Sequence, residues 1–104
     1  MKDCVRIGVV GCGAIGHAHL EVWQGIGHAK VTAVCDAVKD RAESMAAEVG
    51  AESFVDLEEM AASGRADALD VCTPSGLHGG QGLIGAKHGL HVLCEKPLDL
   101  KADV

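Results

Sequence analysis

The chain opens on a short β-branched run, Val5 to Val10 (VRIGVV), too continuously apolar for a strand with one face in water. It predicts a strand of a parallel sheet covered by helices on both sides. Gly11 to Gly16 breaks the run, and from His17 to Ile26 (HAHLEVWQGI) Ala18, Val22 and Ile26 recur at helical spacing until Gly27. A second strand is predicted over Lys30 to Asp36, then a helix over Ala37 to Val49 whose Ala42, Met45, Ala46 and Val49 share one face before Gly50. Glu52 to Val55 reads as a third strand, and Asp56 with Glu59 forms the D-x-x-E capping pattern of a third helix closed by Ser63 and Gly64. Ala68 to Cys72 (ALDVC) is the fourth strand, interrupted by Thr73 to Gly76. His78 to His88 reads as a helix, although Gly79, Gly80, Gly82 and Gly85 each cost up to ~1 kcal/mol relative to Ala, so tertiary packing has to hold it. His91 to Cys94 (HVLC) is the fifth strand, ended by Glu95, Lys96 and Pro97, and in the tail PLDLKADV Asp99 reads as the N-cap of a further helix. Strands alternating with helices over short connections predict an α/β fold, a doubly wound and mostly parallel sheet.

A length of 104 residues accommodates one domain. Trp23 and Phe54 are the sole aromatic residues, so the core must be built from Val, Ile, Leu, Ala and Met and will be thin. A thin core, and a chain that stops inside its last predicted element, lead to the expectation that 1–104 is the N-terminal domain of a longer protein, truncated after the fifth strand. The net charge of −6 excludes the electrostatic footprint of a nucleic-acid binder. Five cysteines make no C-x-x-C pair and lie mostly in apolar runs, as thiols do in a reducing cytoplasm. No stretch of ~18 apolar residues and no export signal is present, so neither a membrane partner nor secretion is expected.

The chemistry begins at Gly11-Cys12-Gly13-Ala14-Ile15-Gly16, a G-x-G-x-x-G loop directly after a predicted strand and opening a predicted helix. In a Rossmann-type fold the first glycine permits a tight turn, the second lets the backbone approach a pyrophosphate, and the third lets helix and strand pack closely. The diphosphate then rests on the loop around Ala14 and Ile15 and on the positive end of the helix. Asp36 follows Gly16 by about twenty residues, where such folds place the carboxylate that accepts from the adenosine ribose hydroxyls. A carboxylate there opposes the 2′-phosphate of NADP, so NAD is the expected cofactor and NADP the lesser one. Lys39 and Arg41 are near enough in sequence to soften that opposition, and Asp36 can also serve as a turn or N-cap residue.

The opening IGVVGCGAIGHAH, the run DVCTPSGLH (Asp70 to His78) and HVLCEKP (His91 to Pro97) together resemble the N-terminal domain of the glucose-fructose oxidoreductase, inositol dehydrogenase and rhizopine-catabolism family. The resemblance covers essentially the whole chain. It implies that Thr73 and Pro74 line the cofactor's path and that His78 reaches towards the cofactor from the start of its helix. It further implies that Glu95 binds the nicotinamide ribose hydroxyls and that Lys96 contacts that ribose and the substrate hydroxyl, as the catalytic residue. A positioned ammonium there favours the developing alkoxide. A cis bond before Pro97 is implied as well. A second, sheet-rich domain absent from this chain would supply the substrate pocket, a His or Tyr acid/base and much of a homo-oligomer interface. The substrate class implied is a small polyol, a sugar, a nucleotide sugar or a cyclitol, with the P-S-G-L-H variant leaning towards nucleotide-sugar and amino-sugar dehydrogenases.

Other residues carry less. His17 and His19 are two apart and cannot clasp one metal from a helix, and no metal is expected. His28, His88 and His91 sit at element ends. Cys12, inside the glycine loop, is expected mainly to fill space, although an exposed thiol there would be reactive. Trp23 is expected to pack. Against a dehydrogenase domain stand a stand-alone NAD-sensing module, an inert fragment and a methyltransferase, the last leaving Glu95-Lys96-Pro97 without a role.

Overall fold

The computed structural model describes residues 4–73 and 78–94. Among these residues nine elements alternate: β1 (Val5–Val10), α1 (Ala14–Gln24), β2 (Ala29–Cys35), α2 (Lys39–Val49), β3 (Glu52–Phe54), α3 (Leu57–Ala62), β4 (Ala68–Val71), α4 (His78–Lys87) and β5 (His91–Cys94). The five strands form one sheet in the order β3-β2-β1-β4-β5, every pair parallel. The doubly wound α/β prediction therefore holds. Pro74, Glu95, Lys96, Pro97 and the cis bond expected before it, and the expected Asp99 cap lie outside the described residues.

Side-chain alternation along the strands feeds two core layers. Ile7 and Val9 of β1 pack with Leu20, Val31, Met45 and Ala68 on one face, while Val10 packs with Ala33, Leu57, Met60, Leu69 and Val71 on the other. This explains the mostly apolar runs, since the last four residues of β1 and all of β4 are buried, Asp70 included. Among the described residues, no helix is long and apolar enough to cross a membrane.

The first helix departs from its prediction. It begins at Ala14, not His17, and its buried stripe is Gly16 and Leu20, with Trp23 packed against the same cluster. Ala18 is exposed and Val22 is 63% exposed. The reason is steric: Gly16 abuts the Gly11 carbonyl in the loop leaving β1, and a glycine contributes nothing to a hydrophobic pattern although it sets which face turns inward.

Gly85 of α4 meets the same logic, whereas a Cβ at Gly80 would meet nothing within 4 Å. A Cβ at Gly85 would lie 2.7 Å from Val92 Cγ2 and 2.9 Å from Leu69 Cδ1, so the missing side chain lets α4 sit down on β4 and β5. Close packing there offsets the helical cost. At its C-terminal end His88 and Lys87 meet Glu58 of α3 at 2.9 and 3.3 Å, hydrogen bonds that hold the Glu58 carboxyl below its ordinary value.

Smaller shifts fall at the element ends. β2 and β4 each stop one residue early, at Cys35 and Val71. The N-cap positions of α2 and α3 are Val38 and Asp56, neither with a side-chain capping bond, so the Asp56/Glu59 box is not made as a box.

Candidate functional site

Above the C-terminal ends of the strands lies a cleft of about 670 Å³, within the range of small-molecule sites. Its floor is the turn leaving β1. Gly11 holds φ +97°, and a Cβ on it would meet Thr73 Cγ2 at 2.9 Å and the Cys72 carbonyl carbon at 3.1 Å. The Gly11 N–H donates to Cys35 O at 2.7 Å, tying the turn to the end of β2. At Gly16 a Cβ would come within 2.0 Å of Gly11 O, which fixes how closely the first turn of α1 abuts the loop. Gly11, Gly13, Ala14 and Ile15 all line the cleft, while Gly16 supports it from beneath.

On the β2 side stands Asp36, its side chain 10% exposed. Asp36 Oδ2 accepts from the Cys12 N–H at 2.8 Å and Oδ1 from the Val38 N–H at 2.8 Å. The second contact spans two residues and makes Asp36 an Asx-turn residue; the helix cap itself is Val38. Asp36 thus clamps the glycine loop from the side as well as facing the cleft. Of the two nearby cations only Arg41 lines the cleft, with Nε 3.6 Å from Asp36 Oδ1; Lys39 points to Glu43. Ala37, Val55 and Leu57 complete an apolar wall beside it.

On the β4 side are Cys72, Thr73 and Gln81, the Thr73 hydroxyl donating to Gln81 Oε1. His78 opens α4, and its side chain is outside the described set. Arg41 was named in the sequence together with Lys39 as a cation near Asp36, whereas Gln81, Val55 and Leu57 were not singled out. Their only signal is position, one or two turns past a strand end, and that acquires meaning only once the sheet order is known.

Cys12 is 2% exposed, its Sγ directed at Cys35 O. Burial, with Asp36 adding to it, pushes the Cys12 thiol up to about 11, and burial pushes Cys35 up to about 12. The space-filling role expected for Cys12 therefore holds, and the exposed, reactive alternative does not. The thiols also carry a pH dependence. In the unfolded chain they ionise near the ordinary value of 9.0, whereas the fold keeps them protonated, so stability present below pH 9 is lost as pH rises through the folded values. Thermal melts from pH 7 to 11 should fall from about pH 9 upward, and replacing both cysteines with Ala should flatten that fall. Iodoacetamide at pH 8, read by mass spectrometry, should modify Cys4 before Cys12 or Cys35.

Trp23 does more than pack. Asp70 of β4, 2% exposed, accepts from Trp23 Nε1 at 2.8 Å and from His19 Nδ1 at 2.7 Å, so α1 is bolted to the central sheet through a buried carboxylate. His17 turns the other way, towards Gly13 O and Glu48. The fold groups His19 with Asp70 and Cys72, ligand-type atoms within 4.8 Å of one another, a trio that the helical spacing of His17 and His19 could not reveal. Asp70 Oδ2 is already engaged by two hydrogen bonds there.

Gly13 decides what the cleft is for. Its φ of −86° is open to any residue, and a Cβ on it would meet nothing within 4 Å, so neither strain nor packing calls for glycine. A loop position left bare towards a cleft, at the strand ends of a doubly wound sheet, is the mark of the dinucleotide-binding class. Comparison with known proteins narrows the class. The pattern of the Gfo/Idh/MocA oxidoreductase family, NAD-binding Rossmann fold, matches residues 5–103, and the chain belongs to that family.

Among its relatives, an inositol 2-dehydrogenase of Rhizobium meliloti is 38% identical over 95% of the chain and 30% of that protein. A scyllo-inositol 2-dehydrogenase (NADP(+)) of Bacillus subtilis is 39% identical over 89% of the chain and 29% of that protein. The crystal structure of the WlbA dehydrogenase from Bordetella pertussis, in complex with NADH and UDP-GlcNAcA, superposes with a TM-score of 0.87 at 40% identity, covering 91% of this chain and 30% of that one. The chain thus spans about 30% of the length of such relatives.

Proposed function

We propose that the chain is the NAD-binding domain of an oxidoreductase that transfers a hydride between a sugar, nucleotide-sugar or cyclitol hydroxyl and NAD. The observation that carries this is the bare Gly13 at the floor of the cleft, between a helix N-terminus and the Asp36 carboxylate. In this reading the Gly11 to Gly16 loop and the start of α1 hold the diphosphate, and Asp36 accepts from the adenosine ribose hydroxyls with the lone pairs its two backbone donors leave over. Thr73, Pro74 and His78 line the far half. Glu95 binds the nicotinamide ribose, and Lys96 holds a positive charge against the substrate oxygen as its proton leaves.

Bound nicotinamide supplies the hydride acceptor. A substrate domain beyond this chain belongs to the same proposal, supported by the share of the relatives that the chain spans. So do a homo-oligomeric full-length protein and a cytoplasmic setting, the latter supported by free thiols at Cys4, Cys12 and Cys35. A pure NAD sensor finds less support, since relatives along nearly the whole chain are dehydrogenases.

Calorimetry of the chain with NAD and NADP tests the reading. We expect NAD to bind about tenfold more tightly than NADP, because Asp36 pairs with hydroxyls and opposes a phosphate. Arg41 lines the same cleft and offsets part of that opposition, so Arg41→Ala should widen the preference. Absence of binding to either cofactor would sink the proposal. Tighter NADP binding that Arg41→Ala abolishes would reassign the cofactor.

A further inference from the structure

Resting on the NAD reading above, we infer that Gln81 is a cofactor-contacting residue whose side-chain amide donates hydrogen bonds to the nicotinamide nucleoside half. The sheet order carries the argument. Strand ends in the order β2, β1, β4 present Asp36, then the glycine loop, then Thr73 with Gln81, so the cleft has three stations over about 10 Å of strand spacing. If the first holds the adenosine ribose and the second the diphosphate, what reaches the third is the remaining nucleoside.

Gln81 is equipped for it. Its Oε1 is used by the Thr73 hydroxyl, while its Nε2 has no hydrogen-bond partner among the described residues. A carboxamide nitrogen has two protons to donate. The side chain is part-buried on the fourth residue of α4, which Gly85 seats close against the sheet. Thr73 in turn abuts Gly11, so the pair forms the β4-side wall next to the loop. Ribose hydroxyls and the nicotinamide carbonyl are the acceptors that a neutral double donor suits, whereas the diphosphate already has the loop N–H groups.

The test compares NAD with ADP, which shares the adenosine and the diphosphate but lacks the nicotinamide nucleoside. Gln81→Glu keeps an acceptor for Thr73 and removes both donors, and a carboxylate in the first turns of a helix is well tolerated. Its added charge bears unequally on the two ligands, since ADP ends in a doubly ionised phosphate and NAD carries a cationic nicotinamide ring. Gln81→Glu is therefore read in a thermal melt, as the control that α4 still folds. The ratio of the two dissociation constants is read in Gln81→Met, which is similar in length, unable to donate and uncharged.

We expect Gln81→Met to shift that ratio at least about fivefold against NAD, the scale of a lost hydrogen bond to a ligand. Wild-type affinities for both ligands in Gln81→Met would overturn the inference and leave Gln81 as the acceptor that orients Thr73. Equal weakening of NAD and ADP in Gln81→Met would also overturn it, moving the contact to the diphosphate. Wild-type chain that binds neither ligand would instead bring down the NAD reading itself, a result distinct from the other two.

Discussion

Gly13→Val should weaken NAD binding at least about 100-fold, the loss of two charge-assisted hydrogen bonds, while leaving the melting temperature within a few degrees of wild type. The backbone at Gly13 is in an extended conformation that Val adopts readily, and no atom lies within 4 Å of the position its Cβ would take. Nothing in the fold therefore resists the substitution. The new branched side chain would stand on the floor of the cleft and hold the diphosphate away from the loop N–H groups. Calorimetry and a thermal melt on the same sample decide it. Unchanged affinity would mean that the cleft holds its ligand elsewhere, and a collapse of the fold would mean that Gly13 has a structural duty that its surroundings do not show.

Gly16→Val should do the reverse, lowering stability by roughly 3 kcal/mol or more, a large part of the 5–15 kcal/mol that a domain has in total. A Cβ at Gly16 lies 2.0 Å from Gly11 O and 3.1 Å from its carbonyl carbon, so backbone has to move. Even Gly16→Ala, which gains about 1 kcal/mol of helix propensity, should be net destabilising, because relieving that contact displaces the first turn of α1. Displacing it disturbs Leu20 and the His19 and Trp23 bonds to Asp70 in turn. Urea titration is the measurement, and a Gly16→Ala chain as stable as wild type would show that the loop yields more easily than its geometry implies. The two glycines look alike in the motif and fail in opposite ways.

Much of the molecule was legible before its structure. The nine elements of the described residues, the parallel sheet and the glycine loop follow from apolar runs, glycine punctuation and spacing, because a strand buried on both faces is mostly apolar. Asp36 was legible too, since the length of one strand-helix-strand unit sets where its carboxylate must fall. What a pattern of apolar residues could not register was any role played by the absence of a side chain or by a polar group in the core. It assigned the wrong buried stripe to α1, as Gly16 carries no hydrophobicity, and it read Trp23 as packing alone, as Asp70 gives no sign in sequence of which helix will satisfy it.

Tertiary structure alone decided which neighbours share the cleft. Arg41 and Lys39 are two residues apart, yet the turn of α2 sends one to Asp36 and the other to Glu43. Thr73 and Gln81 meet because α4 folds back over the end of β4, and Cys12 is inert because β2 closes over it. Local spacing and the side-chain pattern determined the elements and the loop that begins the site. Crossover connections, which order the strands 3-2-1-4-5, determined which polar groups face one another across it, and that ordering depends on packing between residues far apart in the chain.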